Sequence, residues 1–258
     1  MAETSWCDKL AATPLVGFTF ESPFYAPSDL AMSALSPILN AKAELGPPTF
    51  TVEAYEPFNV TINTEEGWRY ALDHSKVTVM FNHRIRAKAV SGGAPIMEML
   101  SQPAPFTELL PSAMEKLIDI TSRLPSASQR ALARVGIVAV TQVAREDLPP
   151  GIQDLIRFFG SAWNTDPEEL NMNVTIPLDS NSNWRDRCVH QIGMAEDRSS
   201  LISINIDFQR IYNNPKSLNA VHLRTVTRET SIAALQYYEN VADGSAFSEN
   251  LLGALASK

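Results

Sequence analysis

Residues 134–144, RVGIVAVTQVA, decide the fold class of this 258-residue chain. The run is apolar enough on both faces to predict a strand at the centre of a sheet. Pro149-Pro150 then opens a short helix that ends at Gly160. Three more strands and a long helix follow, so the order β-α-β-β-β-α begins at this strand.

The same order precedes this strand. An aromatic strand over 14–21 leads to a helix over 28–39. Period-two alternation between 49 and 90 predicts about four antiparallel strands, the last of them a long strand or hairpin over 76–90, because no helix fits between them. An amphipathic helix follows, and its first residue is predicted to be Pro111, which lacks the N–H that goes unpaired at a helix start.

The sequence therefore predicts an α+β protein. Two β-α-β(3-4)-α units form antiparallel curved sheets backed by helices, and a short C-terminal helix follows. The predicted boundaries are an N-terminal tail at 1–13, a first unit at 14–125, a second unit at 133–243 and a C-terminal tail helix at 245–258. This order resembles the duplicated arrangement of the TATA-binding protein, and single units resemble helix-grip folds. The halves share no visible sequence identity, so the predicted duplication concerns element order only.

A second resemblance rests on WR at 68–69, on the helix over Ser112–Leu124 and on RVGI at 134–137. These features resemble a sporadically distributed family of uncharacterised bacterial proteins of about this length. The chain departs from that pattern after Gly136, where IVAV stands in place of a more aromatic strand. The resemblance implies a bacterial cytosolic origin and no particular activity.

Charge and cysteine content narrow the function classes. The net charge of −8 works against non-specific attraction to phosphate backbones and anionic membranes. Cys7 and Cys188 are too few for a disulfide framework or a zinc ribbon, and they are predicted to be free thiols in a reducing compartment. A signal peptide and apolar runs long enough to span a bilayer are both absent from the sequence, which predicts a cytoplasmic protein without membrane contact.

Cys188 and His190 form the most suggestive local group, because alternate residues of a strand point to one face. One interpretation is an activated thiolate. The alternative is a half-buried cysteine beside a hydrogen-bonded histidine. Residues two apart on a strand are roughly 7 Å apart at the backbone, which favours the second interpretation.

Arg84, Arg86 and Lys88 share one face of a predicted strand. They form either a basic stripe for nucleic acid or another anion, or an ordinary solvated face. Asn205, Asp207 and Gln209 likewise share one face of a predicted strand, and a solvated face is favoured there over a binding site. Two tryptophans, Trp163 and Trp184, flank the group of three strands in the second unit. They are candidate anchors for a partner or packing residues.

No motif for catalysis, metal or cofactor binding is present in the sequence, so an enzyme is not favoured and no cofactor is predicted. The leading hypothesis is a non-enzymatic binding or assembly module with a protein partner or self-association. A small-molecule binder or enzyme with a pocket between sheet and helix is the first alternative. Nucleic-acid binding across the sheet is the second, and the net charge disfavours it.

Overall fold

The structure, a computed structural model, describes residues 5–21, 50–56, 59–73, 75–88, 96–124, 130–160, 170–194, 201–217 and 219–247. Over these residues the chain forms strands and four α-helices. The strands are β1 (Thr13–Phe20), β2 (Phe50–Glu56), β3 (Asn59–Thr64), β4 (Trp68–Asp73), β5 (Lys76–Phe81), β6 (Ile85–Lys88), β7 (Ile96–Met99), β8 (Ala131–Ala144), β9 (Leu170–Ser180), β10 (Trp184–Met194) and β11 (Leu201–Ser217). The helices are α1 (Trp6–Lys9), α2 (Phe106–Arg123), α3 (Pro150–Gly160) and α4 (Ala220–Asp243).

Nine strands form one sheet in the order β2-β3-β4-β5-β1-β8-β11-β10-β9, and β6 and β7 form a separate hairpin. Every hydrogen-bonded pair of strands is antiparallel. The predicted α+β class, with a large antiparallel sheet backed by helices, is confirmed. The strand at 134–144 lies inside the sheet as predicted, because β8 pairs with β1 on one side and with β11 on the other.

The helices form one layer on one face of the sheet. Helix α2 packs on β1 and β5, α4 packs on β8 and β11, and both α1 and α3 contact α4. Tyr238 of α4 is fully buried, and its hydroxyl donates to the carbonyl of Ile137 in β8 at 2.5 Å. The opposite face carries the alternate residues of each strand, such as Gly17 of β1 and Gly136 of β8, and we call it the open face.

The N-terminal segment from Ser5 is packed, although the sequence predicts a tail there. Trp6 and Cys7 are buried, and the indole of Trp6 donates to the carbonyl of Tyr238 at 2.5 Å. Both cysteines are free thiols, as predicted. Burial of an indole and its hydrogen bond supply the stabilisation that holds this short helix in place.

The predicted start of helix α2 is wrong. Helix α2 begins at Phe106, so Pro111 lies inside the helix instead of at its start. Phe106, Leu109 and Leu110 are buried and extend the apolar stripe by a turn, which outweighs the backbone hydrogen bond that Pro111 cannot make.

The predicted strand or hairpin over 76–90 is divided between two sheets. Strand β5 ends at Phe81, and β6 pairs with β7 in the hairpin. The predicted helix at 28–39, Trp163 and the tail beyond residue 247 lie outside the described residues.

Candidate functional site

Cys188 and His190 point from β10 into the helix layer, and their exposed fractions are 0% and 1%. Burial raises the pKa of the Cys188 thiol and lowers the pKa of the His190 imidazole to about 4. The Nε2 atom of His190 lies 2.9 Å from the hydroxyl of Tyr237 in α4. The pair is therefore a neutral cysteine beside a hydrogen-bonded histidine, and the geometry does not support an activated thiolate.

Buried His190 makes stability depend on pH. An unfolded histidine takes up a proton near pH 6.5 and the folded one only near pH 4, so the folded state loses stability as the pH falls below about 6.5. We expect a loss of about 2 kcal/mol between pH 7 and pH 5. Cys188 and Tyr237 beside it stay neutral, because burial raises both pKa values.

Urea unfolding at the two pH values tests this expectation. His190→Gln should reduce the loss by about 2 kcal/mol, because glutamine does not titrate. His222→Gln, at an exposed histidine of α4, is the control. An equal pH dependence in all three proteins would show that His190 does not carry the effect.

A cavity of about 310 Å³ lies between α4 and the outer strands β9 and β10, and Tyr237, Gln236, Asp186 and Phe208 are among its lining residues. Asp186 is buried and already occupied, since Arg210 donates to both of its oxygens at 2.9 and 2.7 Å. The guanidinium carbon of Arg210 lies 3.9 Å from the ring centre of Trp184. Trp184 therefore stacks on the guanidinium of the buried ion pair.

The β6–β7 hairpin carries the predicted basic residues. Arg84 precedes β6, and its backbone N–H donates to the Ser101 hydroxyl at 2.8 Å. Arg86 pairs with Glu98 of β7 at 3.2 Å, with both side chains exposed. Lys88 ends the strand opposite Ile96.

One side of this hairpin is apolar and open to solvent. Ile85 lies opposite Met99, and Ala87 lies opposite Met97. The exposed fractions are 55% for Ile85, 63% for Met97 and 50% for Met99. We call these four residues the apolar face of the hairpin. Strand β7 is not predicted from the sequence, because it is four residues long and three of the four residues of IMEM at 96–99 are apolar.

A groove of about 650 Å³ adjoins the hairpin. Ile85, Arg84, Arg86 and His83 line one part of it. Asn63 and Glu65, at the end of β3, are also among its lining residues. Through Ile85, the groove is continuous with the apolar face of the hairpin.

A polar cluster occupies the open face where β1, β8, β10 and β11 meet. Gln209 is 6% exposed, so the prediction of a solvated position is wrong for this residue. Its side-chain oxygen accepts from Arg134 at 3.1 Å and from Arg187 at 2.9 Å. Arg134 also donates to the Thr19 hydroxyl at 3.1 Å, and the Gln209 amide donates to Asp207. We call these five residues the arginine cluster.

Among the described residues, no group of three or more histidine, cysteine or acidic side chains is placed to hold a metal ion. None of the described helices has the length and apolar character that spanning a bilayer requires. Comparisons with protein-family models, with curated proteins and with solved structures find no match for this chain.

Proposed function

We propose that this chain is a protein-binding module and that the β6–β7 hairpin is its contact surface. The observation that carries the proposal is the concentration of exposed large apolar side chains on two four-residue strands. The partner that we propose is an extended segment in which apolar and acidic side chains alternate. We further propose that the sheet is built from two copies of one unit, and that the hairpin is an addition to the first copy.

The register of the sheet supports the duplication. Gly17 of β1 lies opposite Gly136 of β8. Gly17 also faces Thr78 of β5, and Phe81 follows Thr78 by three residues. In the same way Gly136 faces Gln209 of β11, and Tyr212 follows Gln209 by three residues. Equivalence of the two glycines therefore makes Phe81 and Tyr212 equivalent.

The residues at these equivalent positions match. Phe81 faces Trp68, Tyr212 faces Trp184, and an arginine follows each tryptophan. The backbone N–H of Asn82 donates to the carbonyl of Gly67 at 2.8 Å. The backbone N–H of Asn213 donates to the carbonyl of Asn183 at 2.9 Å. Hydrogen bonding fixes these positions independently of sequence, so their agreement favours two copies related by an axis between Gly17 and Gly136.

The hairpin has no counterpart in the second copy. After Phe81 the chain forms β6 and β7 before α2 begins at Phe106. After Tyr212 it continues to the end of β11, and α4 begins at Ala220. The duplicated sheet and helices therefore do not require the hairpin, which favours a role in binding.

The physical properties of the hairpin indicate the kind of partner. An isolated two-stranded hairpin is marginally stable, and covering its apolar face with a partner stabilises it. Arg84, Arg86 and Lys88 outnumber Glu98, so the hairpin is locally basic in a chain with a net charge of −8. An acidic partner complements it, whereas a second hairpin would bring like charges together. An extended segment can add to an open strand edge and place alternate side chains on the apolar face.

Selection of random 12-residue peptides on phage against the full chain tests the proposal. We expect enriched peptides that alternate apolar and acidic residues. The double variant Met97→Ser/Met99→Ser should weaken their binding by about tenfold or more, because each methionine loses apolar contact area. Fluorescence anisotropy with the labelled peptides measures the affinities.

The matched control is Val221→Ser/Ile232→Ser, which removes two exposed apolar side chains from α4. We expect this variant to bind like the unmodified chain. Failure to enrich acidic peptides, or equal affinity for both double variants, would contradict the proposal. A dimer in sedimentation that Met97→Ser/Met99→Ser dissociates would assign the hairpin to a second copy instead.

A further inference from the structure

We propose that the arginine cluster on the open face is a binding site for a small molecule that carries a phosphate or carboxylate group. This site is separate from the hairpin and does not depend on the hairpin's role. Arg134, Arg187 and Thr19 would bind the oxyanion, while Gln209 and Asp207 hold the two arginines in position.

Hydrogen bonds fix the orientation of each donor. The single oxygen of the Gln209 amide accepts from Nη1 of Arg134 and from Nε of Arg187, at 3.1 and 2.9 Å. The two guanidinium groups are therefore neighbours on one face. The Gln209 nitrogen is turned towards Asp207, which leaves the amide no alternative orientation that keeps these bonds.

Donor capacity remains unused in this arrangement. Among the described residues, the two terminal amino groups of Arg187 have no partner, because only its Nε is bonded. The Thr19 oxygen accepts twice from Arg134, so its own hydrogen is free to donate. Planar arginine groups of this kind match the geometry of carboxylate and phosphate oxygens.

The charges are also unbalanced in favour of an anion. Two guanidinium groups face one carboxylate, Asp207, which is half-buried. Burial raises the pKa of Asp207, although Gln209, Arg134 and Arg187 act in the opposite direction. Neighbouring guanidinium groups repel each other, and an oxyanion between them relieves that repulsion.

One backbone position beside the cluster carries no side chain. Of the atoms in the described residues, a methyl group added to Gly136 would meet only Asp207 Oδ1, at 3.7 Å. Gly136 therefore forms a shallow floor without a side chain next to the donors. Gly17 does not extend this floor, because a methyl group added there would lie 3.0 Å from Cγ2 of Thr78. We place the oxyanion over Gly136, on the side of the two arginines and away from Asp207 Oδ1.

The proposed duplication adds an independent argument. In the first copy, Thr78 occupies the position equivalent to Gln209, and Ala71 occupies the position equivalent to Arg187. Leu15 stands two residues before Gly17, as Arg134 stands two residues before Gly136. The first copy keeps the sheet with none of these polar groups, so folding alone does not explain the cluster.

Nuclear magnetic resonance of the arginine Nε–H groups in the full chain tests the proposal, with inorganic phosphate and acetate as separate probes. We expect saturable shifts at Arg134 and Arg187, and the tighter probe identifies the oxyanion class. Arg187→Gln should weaken binding by about tenfold or more. Arg185→Gln, an exposed arginine on the same strand and face, should change it less than about twofold.

Gly136→Ala is a second variant, which adds one methyl group to the floor at ordinary contact distance and leaves the fold intact. We expect weaker binding of the preferred probe and unchanged circular dichroism. Unsaturable shifts at all arginines, or equal losses in Arg187→Gln and Arg185→Gln, would overturn the proposal. Binding of a 12-residue oligothymidylate that also shifts Arg69 of the first copy would overturn it in favour of a nucleic-acid surface.

Discussion

Replacing Asp186 by alanine is expected to lower the free energy of unfolding by about 3–5 kcal/mol. Arg210 would keep its charge in a buried position after losing both hydrogen bonds to the carboxylate, which are 2.9 and 2.7 Å long. Trp184 beneath the guanidinium offers only a cation–π contact, which is weaker than a bidentate ion pair. Urea unfolding at pH 7 measures the loss.

Two controls separate the buried charge from other causes. Asp186→Leu/Arg210→Met removes both charges, and we expect its stability to lie within about 1 kcal/mol of the unmodified chain. Asp154→Ala breaks the exposed pair with Arg157 and should cost less than about 1 kcal/mol. An Asp186→Ala protein as stable as the Asp154→Ala protein would show that the ion pair is not buried in solution.

Gly67→Ala is expected to destabilise the fold by about 3 kcal/mol or more. Gly67 has a φ of +97°, which a residue with a side chain adopts at a cost of about 1–2 kcal/mol. The added methyl group would also lie 2.4 Å from the carbonyl oxygen of Asn82 and 3.1 Å from Cβ of Ser101. Because Ser101 accepts from the N–H of Arg84, the same substitution disturbs the base of the β6–β7 hairpin.

The proposed duplication supplies the control for this substitution. Asn183 is the proposed counterpart of Gly67, is exposed, and does not have a positive φ. Asn183→Ala should therefore change stability by less than about 1 kcal/mol. Thermal and urea unfolding of both variants give the comparison. Similar losses of stability in the two variants would contradict the proposal that the turn at Gly67 needs a positive φ and the turn at Asn183 does not.

Much of the fold follows from local patterns in the sequence. The apolar run at 134–144 predicts an interior strand, and β8 is one. Proline and glycine predict α3 from Pro150 to Gly160, and Gly244 ends α4 with a φ of +87°. These elements are predictable because alternation and helix-capping chemistry act within a few residues.

The predictions are wrong where contacts between residues distant in the sequence determine the structure. Helix α2 starts before Pro111 because Phe106 packs against Tyr238, more than a hundred residues later. Strand β7 is missed because it is four residues long, and Met97 and Met99 lie in a stretch whose pattern is typical of a loop. Short strands that bury nothing carry little periodic signal.

Local sequence patterns could not predict the arginine cluster, because its residues are distant in the sequence. Thr19, Arg134, Arg187 and Gln209 come from four strands, and only the register of the sheet brings them together. Cys188 and His190 show what local spacing can and cannot predict. Their spacing correctly places both on one face, but the covering helix α4 decides that this face is buried.

Amide hydrogen exchange of the full chain, with and without the tightest-binding selected peptide, tests the proposed binding surface most directly. We expect slower exchange at the amides of residues 84–88 and 96–100, with β10 and β11 unchanged, because a segment paired with the hairpin protects its N–H groups. Slower exchange on β10 and β11 with no change in the hairpin would contradict the proposal that this chain binds its partner through β6 and β7.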